Sequence, residues 1–375
     1  MKDQPLAKRP IRVFAHLAYG YDGTSWNRKW KNGKIFGINE PFPYGYYRAT
    51  EMGCSVVYSQ DLTETVVGKF FRLGLRALLG FDLVHAWRNF AGMRQADVIW
   101  THTESQFLGI LMLFRLKSRA PRPKLIAQSI WLFDHWMQCS RPRRWLFSQL
   151  IQQADILTFH SPENLSVAKR LFPDVPSELV LFGIAAETKI APSTRPPRRE
   201  LNIISLGNDV HRDWKLLADA ISGQQHWFLK IASRTIDPSV MARAGHHIEL
   251  VSPQANEELL ALYKWADLLV LAIEPNLHAS GITVIQEAAL LGVPVVCSDC
   301  GGLRAYFSDD EVRFVPPQNA AALREAIQAL ADRPDLRFAM AQKAQNRMGP
   351  QGLSSESFVR RHVELSRDLL RFAKA

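Results

Sequence analysis

The residues with the clearest chemistry lie in the stretch Ile273 to Phe307. Ser280 and Gly281 stand just before a helix-like block, Ile282 to Leu291, so the first-turn N–H groups of Ile282 and Thr283 are free to face a ligand. An anion such as a diphosphate suits that terminus. Glu287, further along the same block, points a carboxylate at the same mouth, where it accepts hydrogen bonds from a vicinal diol such as a ribose. A phosphate cradle beside a diol acceptor points to a nucleotide. Two strand-like runs, Asp267 to Ile273 and Val293 to Ser298, must hold these groups in place, and with the helix they form a β-α-β unit followed by the glycine pair Gly301 and Gly302.

The first half offers a second set of groups. Ile11 to His16 is β-rich and feeds a loop, LAYGYDGTSWNRKW, in the first-strand, first-loop pattern of a nucleotide-fold half domain. Gly20 permits close backbone approach, Asp22 offers a carboxylate, and Trp26, with Tyr19 and Tyr21, offers flat faces for sugar rings. The alternative is a turn with ordinary aromatic packing. Ala96 to Thr101 is strand-like and ends in His102 and Glu104, at the carboxyl end where ligands gather in open α/β sheets. Either group could steer an acceptor hydroxyl; Glu104 equally suits a first-turn partner of the helix dipole. His160, after the run Asp155 to Phe159, either lines the cleft or is a satisfied structural histidine. Glu178 to Gly183 is expected as the last strand of this half. A proline-rich stretch follows, and the second half restarts with Leu201 to Leu206.

The run EAALLGVPVV with its glycine pair resembles the donor-binding element of the GT-B glycosyltransferases, in particular the large retaining family usually numbered four, the glycosyl transferases group 1. The resemblance implies an α/β chain of two Rossmann-like domains facing one another across a cleft, with the nucleotide sugar on the C-terminal half and the acceptor on the N-terminal half. It also implies that the loop after Leu206 meets the donor diphosphate. Gly207 and Asn208 form its tip, Asn208 standing where an arginine is usual, and Arg212 with Lys215 supplies the positive charge. The donor set is then Gly207, Asn208, Arg212, Ser280, Gly281, Ile282, Thr283 and Glu287. The catalytic set is Arg212, Lys215, Glu104 and His102, and Gly20, Asp22 and Trp26 bind the acceptor. One departure stands out: Ala279 occupies the place of the family's first glutamate. Two rival functions share the fold: a nucleotide-sugar epimerase, and a non-catalytic nucleotide-sugar-binding partner subunit.

Composition bounds the rest. A chain of 375 residues exceeds what one core normally serves. The expected division is residues 1–186, a linker at 187–200, 201–352, and a C-terminal helix at 353–375 that crosses back to the first domain. The net charge of +10 favours anionic partners. No zinc spacing, basic zipper or helix-turn-helix pattern points to nucleic acid, and no Asp-x-Asp triplet is present to hold a metal, so neither metal nor cofactor is expected beyond the nucleoside-diphosphate sugar. Cys54, Cys139, Cys297 and Cys300 read as reduced thiols. Three basic-apolar patches lie in the first half: Phe70, Phe71, Leu75, Leu78 and Leu79 among Lys69, Arg72 and Arg76; Arg115 to Lys124; and Arg141 to Arg144 before Trp145. They suit an anionic membrane surface, although a core-facing helix has the same period. No apolar run is long enough to span a bilayer. The expected location is therefore cytoplasmic, peripheral on the inner face of the membrane. The expected acceptor is a lipid-linked saccharide in bacterial surface polysaccharide synthesis.

Overall fold

The computed structural model describes residues 9–117, 122–193, 199–241 and 247–372. The basic N-terminus before Arg9, the middle of the Arg115 to Lys124 patch and part of the expected linker lie outside the described residues. The chain divides into two compact units: Met1–Lys31, Glu40–Val180 and Phe358–Ala375 form the first, and Asn32–Asn39 with Leu181–Ser357 the second.

In the first unit, β1 (Ile11–His16), β2 (Cys54–Tyr58), β3 (Val98–Thr101), β4 (Lys124–Ser129), β5 (Ile156–Phe159) and β6 (Ser177–Leu179) form one sheet in the order β2-β1-β3-β4-β5-β6, each pair parallel. Strands β3 and β5 are buried throughout, as parallel strands covered on both faces must be. The order reverses between β1 and β3, and ligands bind such sheets beyond the strand ends at that switch point. The loops concerned begin at Leu17 and His102.

In the second unit, β7 (Leu201–Leu206), β8 (Trp227–Ala232), β9 (Ile248–Leu250), β10 (Leu268–Leu271), β11 (Val295–Ser298) and β12 (Arg313–Val315) run in the order β12-β11-β10-β7-β8-β9, again all parallel. Ile204, Leu206, Leu269 and Leu271 pack on one face, whereas Leu201, Ile203, Leu268 and Val270 pack on the other, the period of two that a strand imposes. The switch point falls between β7 and β10, and its loops carry Gly207 to Arg212 and Glu274 to Gly281. The expected β-α-β unit is present, with its helix at Ile282–Leu290.

Three expectations need correction. The strand expected at Glu178 to Gly183 is only Ser177–Leu179, because Phe182 is held in the second unit: its N–H donates to Tyr306 Oη at 3.1 Å and its carbonyl accepts from Gln286 Nε2 at 2.8 Å. Asn32–Asn39, expected with the first half, belongs to the second unit through two hydrogen bonds between Gly37 and the Asn256 side chain and one from Ile38 N–H to Glu287. The helix Val66–Leu79 does expose Val66, Val67, Phe70, Phe71 and Leu78, but Arg72 is not on that face. It is buried and paired with Glu64 and Asp82, each at 2.8 Å.

The C-terminal helix Ser355–Phe372 repeats Phe358, His362 and Ser366 at one-turn spacing. These residues pack in the first unit, where Trp100 Nε1 donates to Ser366 Oγ at 2.9 Å and His362 lies 5.3 Å from the Trp100 ring.

Candidate active site

In the second unit a hollow of ≈480 Å³ opens at the switch point, within the span of about 300–1,000 Å³ usual for small-molecule sites. Gly207, Asn208, Thr283, Val284 and Glu287 line it, with Ser233, Arg234 and Ser252 from the neighbouring strand ends. Gly281, at a φ of +89°, caps the helix whose first turn faces this region.

Arg212 does not line the hollow; it lies behind it. Its Nε donates to Leu206 O at 3.1 Å and its Nη1 to Ser280 Oγ at 2.9 Å, so one guanidinium ties the loop after β7 to the helix start. Glycine is required here: a Cβ at Gly207, whose φ is +130°, would stand 2.6 Å from Arg212 Nη2. Arg212 is only 6% exposed and has no carboxylate salt-bridge partner among the described residues. Burial pulls its pKa down, and a buried cation normally demands a counter-charge. Lys215 is not brought to this group; it is exposed beside a separate hollow with Asp219 and Ser239.

Glu287 is buried, which raises its pKa. Tyr263 Oη donates to its Oε2 at 2.6 Å and Ile38 N–H to its Oε1 at 3.0 Å. A carboxylate has about four acceptor positions, so two remain for a ligand. Gly37 closes over it: a Cβ there would be 1.9 Å from Oε1. Ala279 adopts a left-handed φ of 56° and is buried, so the place of the missing glutamate is filled by a small strained residue.

Beside these groups, ligand atoms of Asp209, His211 and His278 lie within 4.8 Å of one another and could share a divalent cation. The set also holds itself together, with His278 Nε2 and His211 Nδ1 at 2.9 and 3.1 Å from the two Asp209 oxygens. Burial opposes ionisation of Asp209, yet the hydrogen bonds from His278 and the His211 backbone keep its pKa well below the usual carboxylate range.

In the first unit a hollow of ≈160 Å³ opens at the other switch point. His16, Tyr19, Tyr21 and His85 line it with His102 and Tyr44. The Tyr44 and His102 rings stack at 3.4 Å. Burial, and then His160 and His362, push the His102 pKa down, so its imidazole is neutral near pH 7. Glu104 does not line this hollow: its Oε2 accepts from Ile130 N–H at 3.1 Å and Trp131 N–H at 3.3 Å, placing Trp131, which does. Gly20, Asp22 and Trp26, expected to bind the acceptor, are not among the residues that line this hollow. Gly20 N–H donates to Asp61 Oδ2 at 2.8 Å, Asp22 Oδ1 caps the helix Gly23–Lys31 through Thr24 and Ser25, and Trp26 Nε1 donates to Glu40 O at 3.0 Å. His160 Nδ1 donates to Val180 O at 2.9 Å. His16, His85, Tyr44 and Arg76 were not legible as site residues, because only folding gathers them.

Residues 238–347 match the family model of the glycosyl transferases group 1. Over 91 residues the chain is 36% identical to the putative teichuronic acid biosynthesis glycosyltransferase TuaC of Bacillus subtilis (strain 168), covering 24% of this chain and 22% of that protein. It is 24% identical over 225 residues to the D-inositol 3-phosphate glycosyltransferase of Corynebacterium diphtheriae, 52% of each chain. The chain thus spans between about a fifth and about half of the length of these curated relatives. Among solved structures, the sucrose-phosphate synthase of Thermosynechococcus elongatus superposes with a TM-score of 0.72 at 17% identity, over 97% of this chain and 100% of that one. Anabaena HepE, solved with UDP-glucose, gives 0.67 at 13% identity, over 95% and 99%. At such identities the likeness is one of fold. The chain therefore has the GT-B fold, and its residues 238–347 match the family model of the glycosyl transferases group 1.

Proposed function

We propose that the chain transfers a sugar from a nucleoside-diphosphate sugar, held by the second unit, to a saccharide acceptor held in the first, with retention of configuration. The observation that carries this is Arg212, a buried guanidinium without a salt-bridge carboxylate among the described residues, bonded to Ser280 at a helix start. Asp209 already acts on Arg212 through its charge, and a diphosphate at the helix start adds the closer counter-charge, while the cation stabilises the charge that builds on the leaving oxygen. HepE was solved with UDP-glucose, which supports a nucleotide-sugar donor. Retention leaves deprotonation of the acceptor to the departing phosphate, with neutral His102 orienting the hydroxyl. Labelled nucleotide sugars incubated with the protein and a bacterial lipid extract test the proposal. Transfer to lipid is expected; interconversion of free donor would make the protein an epimerase, and binding without turnover a silent partner subunit.

Arg212 and the helix start make the reaction metal-independent in this proposal. Transfer rates in excess EDTA and in added Mg²⁺ are expected to agree. Loss of activity in EDTA, restored by a divalent cation, would instead assign a metal to Asp209, His211 and His278.

We place the acceptor at the inner face of the membrane, as a lipid-linked saccharide in surface polysaccharide synthesis. TuaC, whose description names teichuronic acid biosynthesis, supports the polysaccharide role. No helix among the described residues is long and apolar enough to cross a membrane. Phe70 is 70% exposed and Phe71 62%, on a helix that also carries Lys69. Such a face attaches weakly, and each basic residue near an anionic surface adds about 1 kcal/mol. Flotation with anionic vesicles should capture the protein, less so in high salt, and Phe70→Ser with Phe71→Ser should release it. No capture of the unaltered protein would favour a soluble acceptor.

A further inference from the structure

The helix Val66–Leu79 carries two arginines one turn apart, Arg72 and Arg76, and the structure treats them differently. Arg72 is committed. Its guanidinium bonds Glu64 and Asp82 and lies 4.2 Å over the Tyr19 ring. These carboxylates have further partners, Glu64 in Arg88 and Asp82 in the His85 backbone N–H. Arg76 lines the hollow of the first unit with no ion pair or side-chain hydrogen bond among the described residues.

Asp82 also lines the hollow, with its carboxylate paired to Arg72, and the histidines there supply little charge. Burial, and then His85, lowers the His16 pKa, and burial lowers that of His85, so both rings are neutral near pH 7. His85 Nε2 lies 3.1 Å from Leu17 O and must donate to it, which leaves Nδ1 as an acceptor. The Nδ1 atoms of His16 and His85 are buried without a hydrogen-bond partner. Buried polar atoms without partners are uncommon and call for a ligand or water. Tyr21, Tyr44 and Trp131 add flat faces to the same hollow. Its volume, ≈160 Å³, is roughly ten times what one ordered water needs.

We propose that this hollow takes an anionic sugar: a residue bearing a carboxylate or a phosphate, which pairs with Arg76 while its hydroxyls meet the imidazoles and its ring packs on the aromatics. The proposal deepens the acceptor assignment above and rests on it. Arg76 is exposed and a neutral sugar would leave its charge to water, whereas carboxylate and phosphate both match a guanidinium through paired N–H donors.

Binding is measured by calorimetry without donor, so the result is independent of whether transfer occurs. The probes are glucuronate, glucose 6-phosphate and glucose, at one low ionic strength. At least one anionic probe is expected to bind about 10-fold or more tighter than glucose, the scale of a charge-assisted hydrogen bond, and the better of the two identifies the anion. Arg76→Gln should erase that preference and leave glucose binding as it was. Lys69→Gln, on the same helix but outside the hollow, should preserve it. Equal binding of all three probes, equal weakening of all three in Arg76→Gln, or no binding of any probe would overturn the proposal. A silent donor assay with the anion preference intact would instead count against the transfer reaction alone.

Discussion

Arg212→Ala is expected to lower the transfer rate by about 10²-fold or more, the scale on which a transition-state donor is lost. The guanidinium acts in two ways. Its charge lies in a buried setting where little solvent screens it, and its Nε and Nη1 atoms also tie Leu206 O to Ser280 Oγ. Arg212→Lys separates the two contributions, since a lysine keeps the charge without the planar fork that spans both partners. Recovery in the lysine variant would assign the effect to charge, and an equal loss in both to loop geometry. Single-turnover rates at saturating donor, with circular dichroism to establish folding, give the reading. An alanine variant within about twofold of the unaltered protein would remove Arg212 from the mechanism.

Glu287→Gln is expected to weaken nucleoside diphosphate binding by roughly 1–3 kcal/mol, as loss of a charged hydrogen-bond acceptor does. The substitution is close to isosteric, and the folded contacts can survive it. The glutamine oxygen still accepts from Ile38 N–H, and its amide can donate to Tyr263 Oη, which now accepts. What is lost is the charge toward a ribose diol. Calorimetry with UDP, alongside uridine as a ligand lacking phosphate, distinguishes the groups: Glu287→Gln should weaken both, whereas Arg212→Ala should weaken UDP alone. Unchanged affinity for both ligands in Glu287→Gln would take the ribose away from this residue.

Much of the architecture was legible from local pattern. The apolar runs that became β7, β10 and β11 are short, and each is buried on both faces in the sheet. The helix start at Ser280 and Gly281 was legible for a related reason: small residues between a strand run and an apolar helical run mark a turn, and Gly281 takes the left-handed φ that such a turn needs. The ends of strands were less so. Glu178 to Gly183 has strand composition throughout, yet Phe182 finds its partners in Gln286 and Tyr306, over a hundred positions away.

Local order along the chain was enough to determine the α/β class, the two half-domain patterns and the donor-like helix terminus, because strand and helix periods and turn chemistry are short-range properties. Which charged side chains are spent and which are left over was decided only by tertiary structure. Arg72 and Arg76 are the same residue type on one helix, and folding sets Glu64 and Asp82 against the first while leaving the second at a hollow. Lys215 and Arg212 lie three positions apart, and the helix that starts at Trp214 turns the lysine to solvent while the arginine is drawn under the loop of Gly207. Pairing and burial depend on partners brought together from distant parts of the chain, so the electrostatic role of a residue becomes defined only when the sheets have closed around it.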